Sequence, residues 1–367
     1  MGVNNSSKIS FERVKRTMNI AYYISGHGYG HISRSYEVIK RLLLENHIEK
    51  LFLCSSRVSF IKDKSPQLFL RNQSTDVGIV QNDSISMDIA KTLEKIKEFE
   101  KSEDEIIEQE KKFLKNEAID IVVSDCSSLP FVPAKDLRVK TIFIGNFTWD
   151  FIYQHYSKYD ATFSNFAHRL KAEYQLCDKA LVLPFYCPME SVPNKISVGL
   201  LGRKPTKSKE EARKDCGFKE NTYYFLFSFG AYGIEGKEFD FENLPENYQL
   251  VVSGYEGLHN DQILRLDDFY YPDVLTACDF VITKPGYGIL SEAYFANTPV
   301  IYTERGDFPE YPYLVQAMEK HHTSYYISHE GLFNLQLKKT IQSEGTHGSI
   351  RDVLKDGREE IIKEILE

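Results

Sequence analysis

Two glycine-rich loops hold the residue types that could do chemistry in this 367-residue chain. The first, Gly26-His27-Gly28-Tyr29-Gly30-His31, follows the apolar run MNIAYYIS and precedes Ile32, Tyr36, Ile39 and Leu43 at helical spacing. It therefore joins a strand to a helix. An imidazole, titrating ordinarily at about 6.5, suits proton transfer with a hydroxyl at neutral pH. The competing reading of His31 is a histidine at a helix N-terminus bonded to backbone. Arg34, one turn on, meets an anionic group or pairs with a nearby acid. The second loop, Lys284-Pro285-Gly286-Tyr287-Gly288, follows the strand-like DFVIT and opens a helix at about Ile289. Its glycines let a phosphate approach backbone N–H groups at the positive end of the helix dipole, and Lys284 adds a charge. Ser291 and Glu292 follow one turn inside, where a carboxylate can accept hydrogen bonds from vicinal hydroxyls such as a ribose. Phosphate at the loop and ribose at the acid would place a nucleotide diphosphate. The bland alternative is a tight strand-to-helix turn with a helix-facing glutamate.

Positioning these loops requires alternating strands and helices, and the sequence supplies them. LFLCSS, IDIVVSD, TIFIG and KALVLPF read as buried strands in the first half, with a long charged helix of about 25 residues before IDIVVSD. YYFLFSFG, ending at Gly230, then YQLVVSG, DFVITK and TPVIYTE supply strands in the second half. Short β-runs alternating with helices predict a parallel α/β sheet covered on both faces. The segment 199–221, a Gly-rich turn followed by a polar helix, punctuates the two halves. The expected division is an arm over 1–17, flexible until Met18, a first domain over 18–197, a second over 198–345 and a C-terminal helix over 346–367.

Composition narrows the classes. Hydrophobic residues make up 42% and aromatics 13%, which excludes low-complexity disorder, collagen-like repeats and long coiled coil. A formal net charge of -8 leaves no global basic field for nucleic acid. The six cysteines, at 54, 126, 177, 187, 216 and 278, form no CxxC pair or ligand-like cluster, so neither a metal site nor a disulfide framework is expected. No stretch approaches the roughly 18 apolar residues of a membrane span, and the first 17 residues lack an apolar leader core. The expectation is a cytoplasmic protein.

The run Gly286, Glu292, Pro299, Asp307 and Glu310 resembles the donor-site motif of GT-B glycosyltransferases, two Rossmann-like domains facing across a cleft. By that resemblance the loop from Lys284 to Ile289 holds the diphosphate, Glu292 the ribose, and Asp307 or Glu310 the sugar hydroxyls. Asn297 stands where that family usually has Gly, and Glu310 near a position often held by Gln. GHGYGHISR is similar to the first-strand loop of the same enzymes, with Gly28 and Gly30, together with Gly230 of the second half, lining the donor and His31 on the Gly-His position. In inverting members the matching histidine is the general base, and Asp125, at the end of IDIVVSD, falls where an orienting aspartate often lies. For Asp125 the alternative is a strand-end cap of the next turn. His27, Trp149 and Asp150 would reach the cleft mouth as substrate contacts; a lone Trp serves packing as readily as sugar stacking.

GHGYGHISR, VVSD, NFTWDFIYQHY and KPGYGILSEA together resemble the glycosyltransferase-like region of plant-type L-arabinokinases and its stand-alone bacterial relatives. Kinase activity is not implied, because no kinase-type phosphate loop is present in the sequence. The resemblance implies an inverting transferase using a nucleotide-diphosphate sugar, UDP-sugar first, with no cofactor and an acceptor of unknown kind. Two other readings compete: a nucleotide-sugar hydrolase on the same fold, and a non-catalytic nucleotide-sugar-binding module.

Overall fold

The computed structural model describes residues 17–83, 86–230, 238–254, 258–347 and 353–367. Nearly all of the expected arm over 1–17 lies outside these residues.

Seven parallel strands form the first sheet: β1 (Met18–Ile24), β2 (Ile48–Cys54), β3 (Leu68–Arg71), β4 (Ile121–Asp125), β5 (Lys140–Gly145), β6 (Lys179–Val182) and β7 (Lys195–Ser197), in the order β3-β2-β1-β4-β5-β6-β7. The second sheet repeats the plan with β8 (Tyr223–Ser228), β9 (Tyr248–Val252), β10 (Ile263–Arg265), β11 (Phe280–Thr283), β12 (Val300–Tyr302), β13 (Thr323–Tyr326) and β14 (Thr346–His347). Its order is β10-β9-β8-β11-β12-β13-β14, parallel except for the two-residue β14. Burial on both faces explains the continuous apolar runs: Ile20, Tyr22 and Ile24 of β1 enter one core cluster, Ala21 and Tyr23 another.

Strand order reverses between β1 and β4 in one sheet and between β8 and β11 in the other. Crevices at the carboxyl ends of such switch points are where open α/β sheets bind ligands. The loops leaving β1 and β11 are the two glycine-rich loops, so each sheet places one of them at its switch point.

Helix Arg358–Leu366 packs on the first domain, burying Ile361, Ile362 and Ile365 with Ile32, Ile39 and Leu42. The chain crosses between domains twice, and the crossings touch: Leu200 N–H donates to Lys355 O at 2.6 Å, and Gly357 N–H donates to Leu200 O at 2.8 Å. A Cβ on Gly199 or Gly357 would overlap the backbone of the other crossing.

The charged helix runs Ile89–Asn116 and turns Glu103 inward against helix Ala161–Tyr174. There Glu173 accepts from the Ser128 hydroxyl at 2.5 Å, while Arg169 pairs with Glu103 at 2.8 Å. Burial, reinforced by Glu103, pushes the Glu173 carboxyl up to about 7. Its folded form thus holds a proton that the unfolded chain releases at about 4.3, so stability falls as pH rises through that window. Glu173→Gln keeps the Ser128 bond and removes the titration. Denaturant unfolding should show the variant gaining on the order of 1 kcal/mol over wild type between pH 5 and pH 8; an unchanged difference would show that Glu173 stays ionised.

Candidate active site

His31 lies in the first turn of helix Gly30–Leu42 and is 8% exposed. With Arg34 and Ser35, at i+3 and i+4, it forms one helix face, and all three converge on Asp125 at the end of β4. His31 Nδ1 stands 2.9 Å from Asp125 Oδ1. Arg34 donates from Nε to Oδ2 at 2.9 Å and from Nη2 to Oδ1 at 2.6 Å, and the Ser35 hydroxyl donates to Oδ2 at 2.5 Å. Burial opposes ionisation of Asp125, but the Arg34 guanidinium, reinforced by His31, overrides it and holds the carboxyl well below the usual carboxylate range. An ionised Asp125 accepts the Nδ1 proton, which fixes the tautomer and leaves the Nε2 lone pair as the acceptor.

His31, Asp125 and Cys126 bring ligand-type atoms within 4.8 Å of one another. Arg34 Nη2 already stands 3.2 Å from His31 Nδ1, 2.6 Å from Asp125 and 3.8 Å from Cys126 Sγ, so a cation would have to displace a guanidinium.

Across the cleft, Gly286 caps helix Tyr287–Ala296 in extended backbone. The two helix N-termini meet, and a Cβ on Gly288 would stand 3.5 Å from Gly30 Cα. Lys284 reaches over to the first domain and donates to the uncharged Gln81 Oε1 at 3.3 Å, while Gln81 Nε2 lies 3.4 Å from His27 Nε2. Burial, then the neighbouring Arg305, drives the Lys284 ammonium well below its ordinary value. Burial does the same to His27, which stays neutral. Among the described residues the hydrogen bonds of Arg305 are long, 3.3 Å to Pro285 O and 3.4 Å to Glu310, and its buried Nε meets no partner. Glu310 is 4% exposed, and burial raises its carboxyl despite Arg305.

One cavity of about 450 Å³ gathers most of the sequence candidates. From the first domain it takes His27, Gly28, Gly30, His31, Arg34 and the edge of Trp149; from the second, Gly230, Lys284, Gly286 to Ile289, Glu292 and Glu310. Asp125 lies behind His31, fully buried. Pro285 and Ser291 fall outside the lining: Pro285 contributes its carbonyl to Arg305, and Ser291 is buried beside Gly202.

Three further candidates are placed differently from the expectation. Trp149 is 1% exposed, donates from its indole N–H to Asp76 at 2.9 Å and packs on Phe147 and Tyr153, so it offers no open face to a sugar. Asp150 and Asp307 open on a second cavity of about 910 Å³. Asp150 there accepts from the Ser191 hydroxyl at 2.9 Å.

Arg203, Arg305, Gln81 and Ser35 belong to the site and carried no local signal of it, except that Ser35 shares the helix face of His31. Arg203 sits in the stretch read as an interdomain connection. It clamps Glu292 with two bonds, 2.6 Å from Nε and 3.1 Å from Nη2, and lies over the Tyr271 ring. Burial raises the Glu292 carboxyl, and Arg203 opposes the rise.

No family model matches the chain. An L-arabinokinase of Arabidopsis thaliana is 32% identical over 311 residues, 82% of this chain; the chain spans 29% of that protein's length. Among solved structures, a UDP-glucosyltransferase from Polygonum tinctorium superposes with a TM-score of 0.59 at 14% identity, covering 95% of this chain and 92% of that one. The kitacinnamycin glycotransferase gives 0.59 at 15% identity over 89% and 90% of the two chains. An Arabidopsis thaliana UGT complexed with UDP gives 0.60 at 10% identity over 95% and 99%. Two doubly wound sheets meeting at their switch points, and matched over 89–95% of the chain by these structures, give this chain the GT-B fold.

Proposed function

We propose that the chain is an inverting glycosyltransferase using a nucleotide-diphosphate sugar, UDP-sugar first, with His31 as general base. The observation that carries this reading is a pair of half-buried, weakly compensated cations, Lys284 and Arg305, beside a helix N-terminus and facing a His–Asp pair across the cleft. Positive charge partly withdrawn from water in this way calls for an anion, and a diphosphate supplies one. Glu292, oriented by Arg203, keeps lone pairs for the ribose hydroxyls.

In the reaction the acceptor oxygen attacks the anomeric carbon while the bond from that carbon to the β-phosphate oxygen breaks. The acceptor proton passes to His31 Nε2, and Asp125 stabilises the imidazolium that forms. Charge developing on the leaving diphosphate is met by Lys284, Arg305 and the helix N–H groups. The small cleft, once a nucleotide sugar fills it, favours a second reading in which water is the acceptor and the enzyme is a hydrolase; nucleotide release without added acceptor, at the rate of transfer, would select it.

Thermal unfolding with UDP, dTDP, GDP, CDP and ADP tests the donor site. A ligand at about 100 times its Kd adds about 2.7 kcal/mol. Lys284→Met should change two quantities in opposite directions: the unliganded protein unfolds at higher temperature, because a desolvated charge is gone, and nucleotide diphosphate affinity falls about tenfold or more. Loss of stability together with unchanged affinity would remove Lys284 from the diphosphate site.

A further inference from the structure

Asp307 is fastened to the opposite domain. Its Oδ1 lies 2.7 Å from His155 Nε2, and its Oδ2 accepts from Lys158 Nζ at 2.7 Å and from the Tyr159 hydroxyl at 2.8 Å. Its carbonyl oxygen accepts from the Tyr156 hydroxyl at 3.0 Å. All four partners come from five consecutive residues at the end of helix Trp149–Tyr156. A single exposed ion pair is weak, but several donors sharing one carboxylate form a network.

The neighbours of Asp307 along the chain face the other way. Arg305, two residues before it, and Glu310, three after, line the 450 Å³ cleft, whereas Asp307 lines the 910 Å³ cavity and not the cleft. A side chain committed to the first domain and turned out of the cleft is badly placed to meet a donor sugar. Arg305 is itself loosely held, its polar contacts being long and its guanidinium resting 3.7 Å over the Phe308 ring. Its position therefore depends on where the segment carrying it is tied down.

We propose that Asp307 is a positioning residue: it clasps the segment Arg305–Glu310 to His155, Lys158 and Tyr159, so that Arg305 reaches the diphosphate only while the two domains are closed. This rests on reading the cleft as a nucleotide-sugar site. The clasp makes helix Trp149–Tyr156, an acceptor-side element, part of the donor-binding machinery without touching the donor.

The test compares UDP affinity in wild type, Asp307→Ala, Lys158→Ala and the double variant, with small-angle scattering on each unliganded protein. Asp307, 39% exposed, and Lys158, 47% exposed, can both be truncated without leaving a buried hole. Each single change should weaken UDP by about five- to tenfold, the double should be no worse than the poorer single, and the radius of gyration should increase. Direct sugar contact would instead show as unchanged UDP affinity in Asp307→Ala with lost affinity for the intact nucleotide sugar, and Lys158→Ala silent; that result overturns the clasp, as would additive single effects. Scattering needs no ligand and so separates the two readings: absence of binding of UDP, dTDP, GDP, CDP and ADP by wild type refutes the nucleotide site, and an unchanged radius of gyration in both single variants refutes the clasp whatever the nucleotides do.

Discussion

Asp125→Ala is expected to destabilise the fold by about 3–5 kcal/mol, because it strands a buried guanidinium. Arg34 is 3% exposed and directs two of its donors to Asp125, with a third going to Asn146. Ser35 and His31 lose their acceptor in the same change. The sign with pH follows from the depressed carboxyl: the contribution is fully present above the unfolded value of about 3.9 and is lost only as pH falls below it. Denaturant melts at pH 7 measure the loss, and Arg34→Met in the Asp125→Ala background should restore part of it by removing the stranded charge. A loss under about 1 kcal/mol would mean that water reaches Arg34 and compensates it.

His31→Ala is expected to lower sugar transfer by about 10²–10⁴-fold while nucleotide affinity stays within about twofold, because proton removal is made only in the transition state. The residue lines the cleft but carries neither the diphosphate loop nor the Arg34 pair, so binding and folding should survive its truncation. Transfer assays with the sugar nucleotide selected by thermal shift, run beside calorimetric UDP titrations, separate the two quantities. Transfer within tenfold of wild type would end the general-base reading, and a matching loss of UDP affinity would move His31 to the donor-binding side.

Central strands were legible because burial on both faces demands an uninterrupted apolar run, as in IDIVVSD and YYFLFS. The edge strands β3, β7 and β10 were not: they are three or four residues long, and Phe69 and Leu70 of β3 are each about two-fifths exposed, so no pattern of either period marks them. The unread stretch around β3 also supplies Gln81 to the cleft and Asp76 to the Trp149 indole. His31, Asp125, Lys284 and Glu292 were visible as chemistry at loop and strand ends. The pairings were visible only in part: Arg34 was read as the partner of some nearby acid, which proves to be Asp125 91 positions on, whereas Arg203 meets Glu292 across 89 positions and carried no signal, distances over which a sequence carries no register. Asp307 is the opposite case: the family resemblance implied a sugar contact, and the fold surrounds its carboxylate with His155, Lys158 and Tyr159 from the other domain.

The paired crossings at Leu200 and at Lys355 to Gly357 give the chain a modular character. The second domain leaves and rejoins its host at hydrogen-bonded neighbours, so in topological terms it is an insertion, a guest whose two ends already lie side by side. Exchanging the segment between them for that of another GT-B protein would leave the threading of the first sheet unchanged. The C-terminal helix, bound to the host by Ile361, Ile362 and Ile365, would stay where it is. The two domains can therefore diverge along separate genetic segments, joined at a glycine pair.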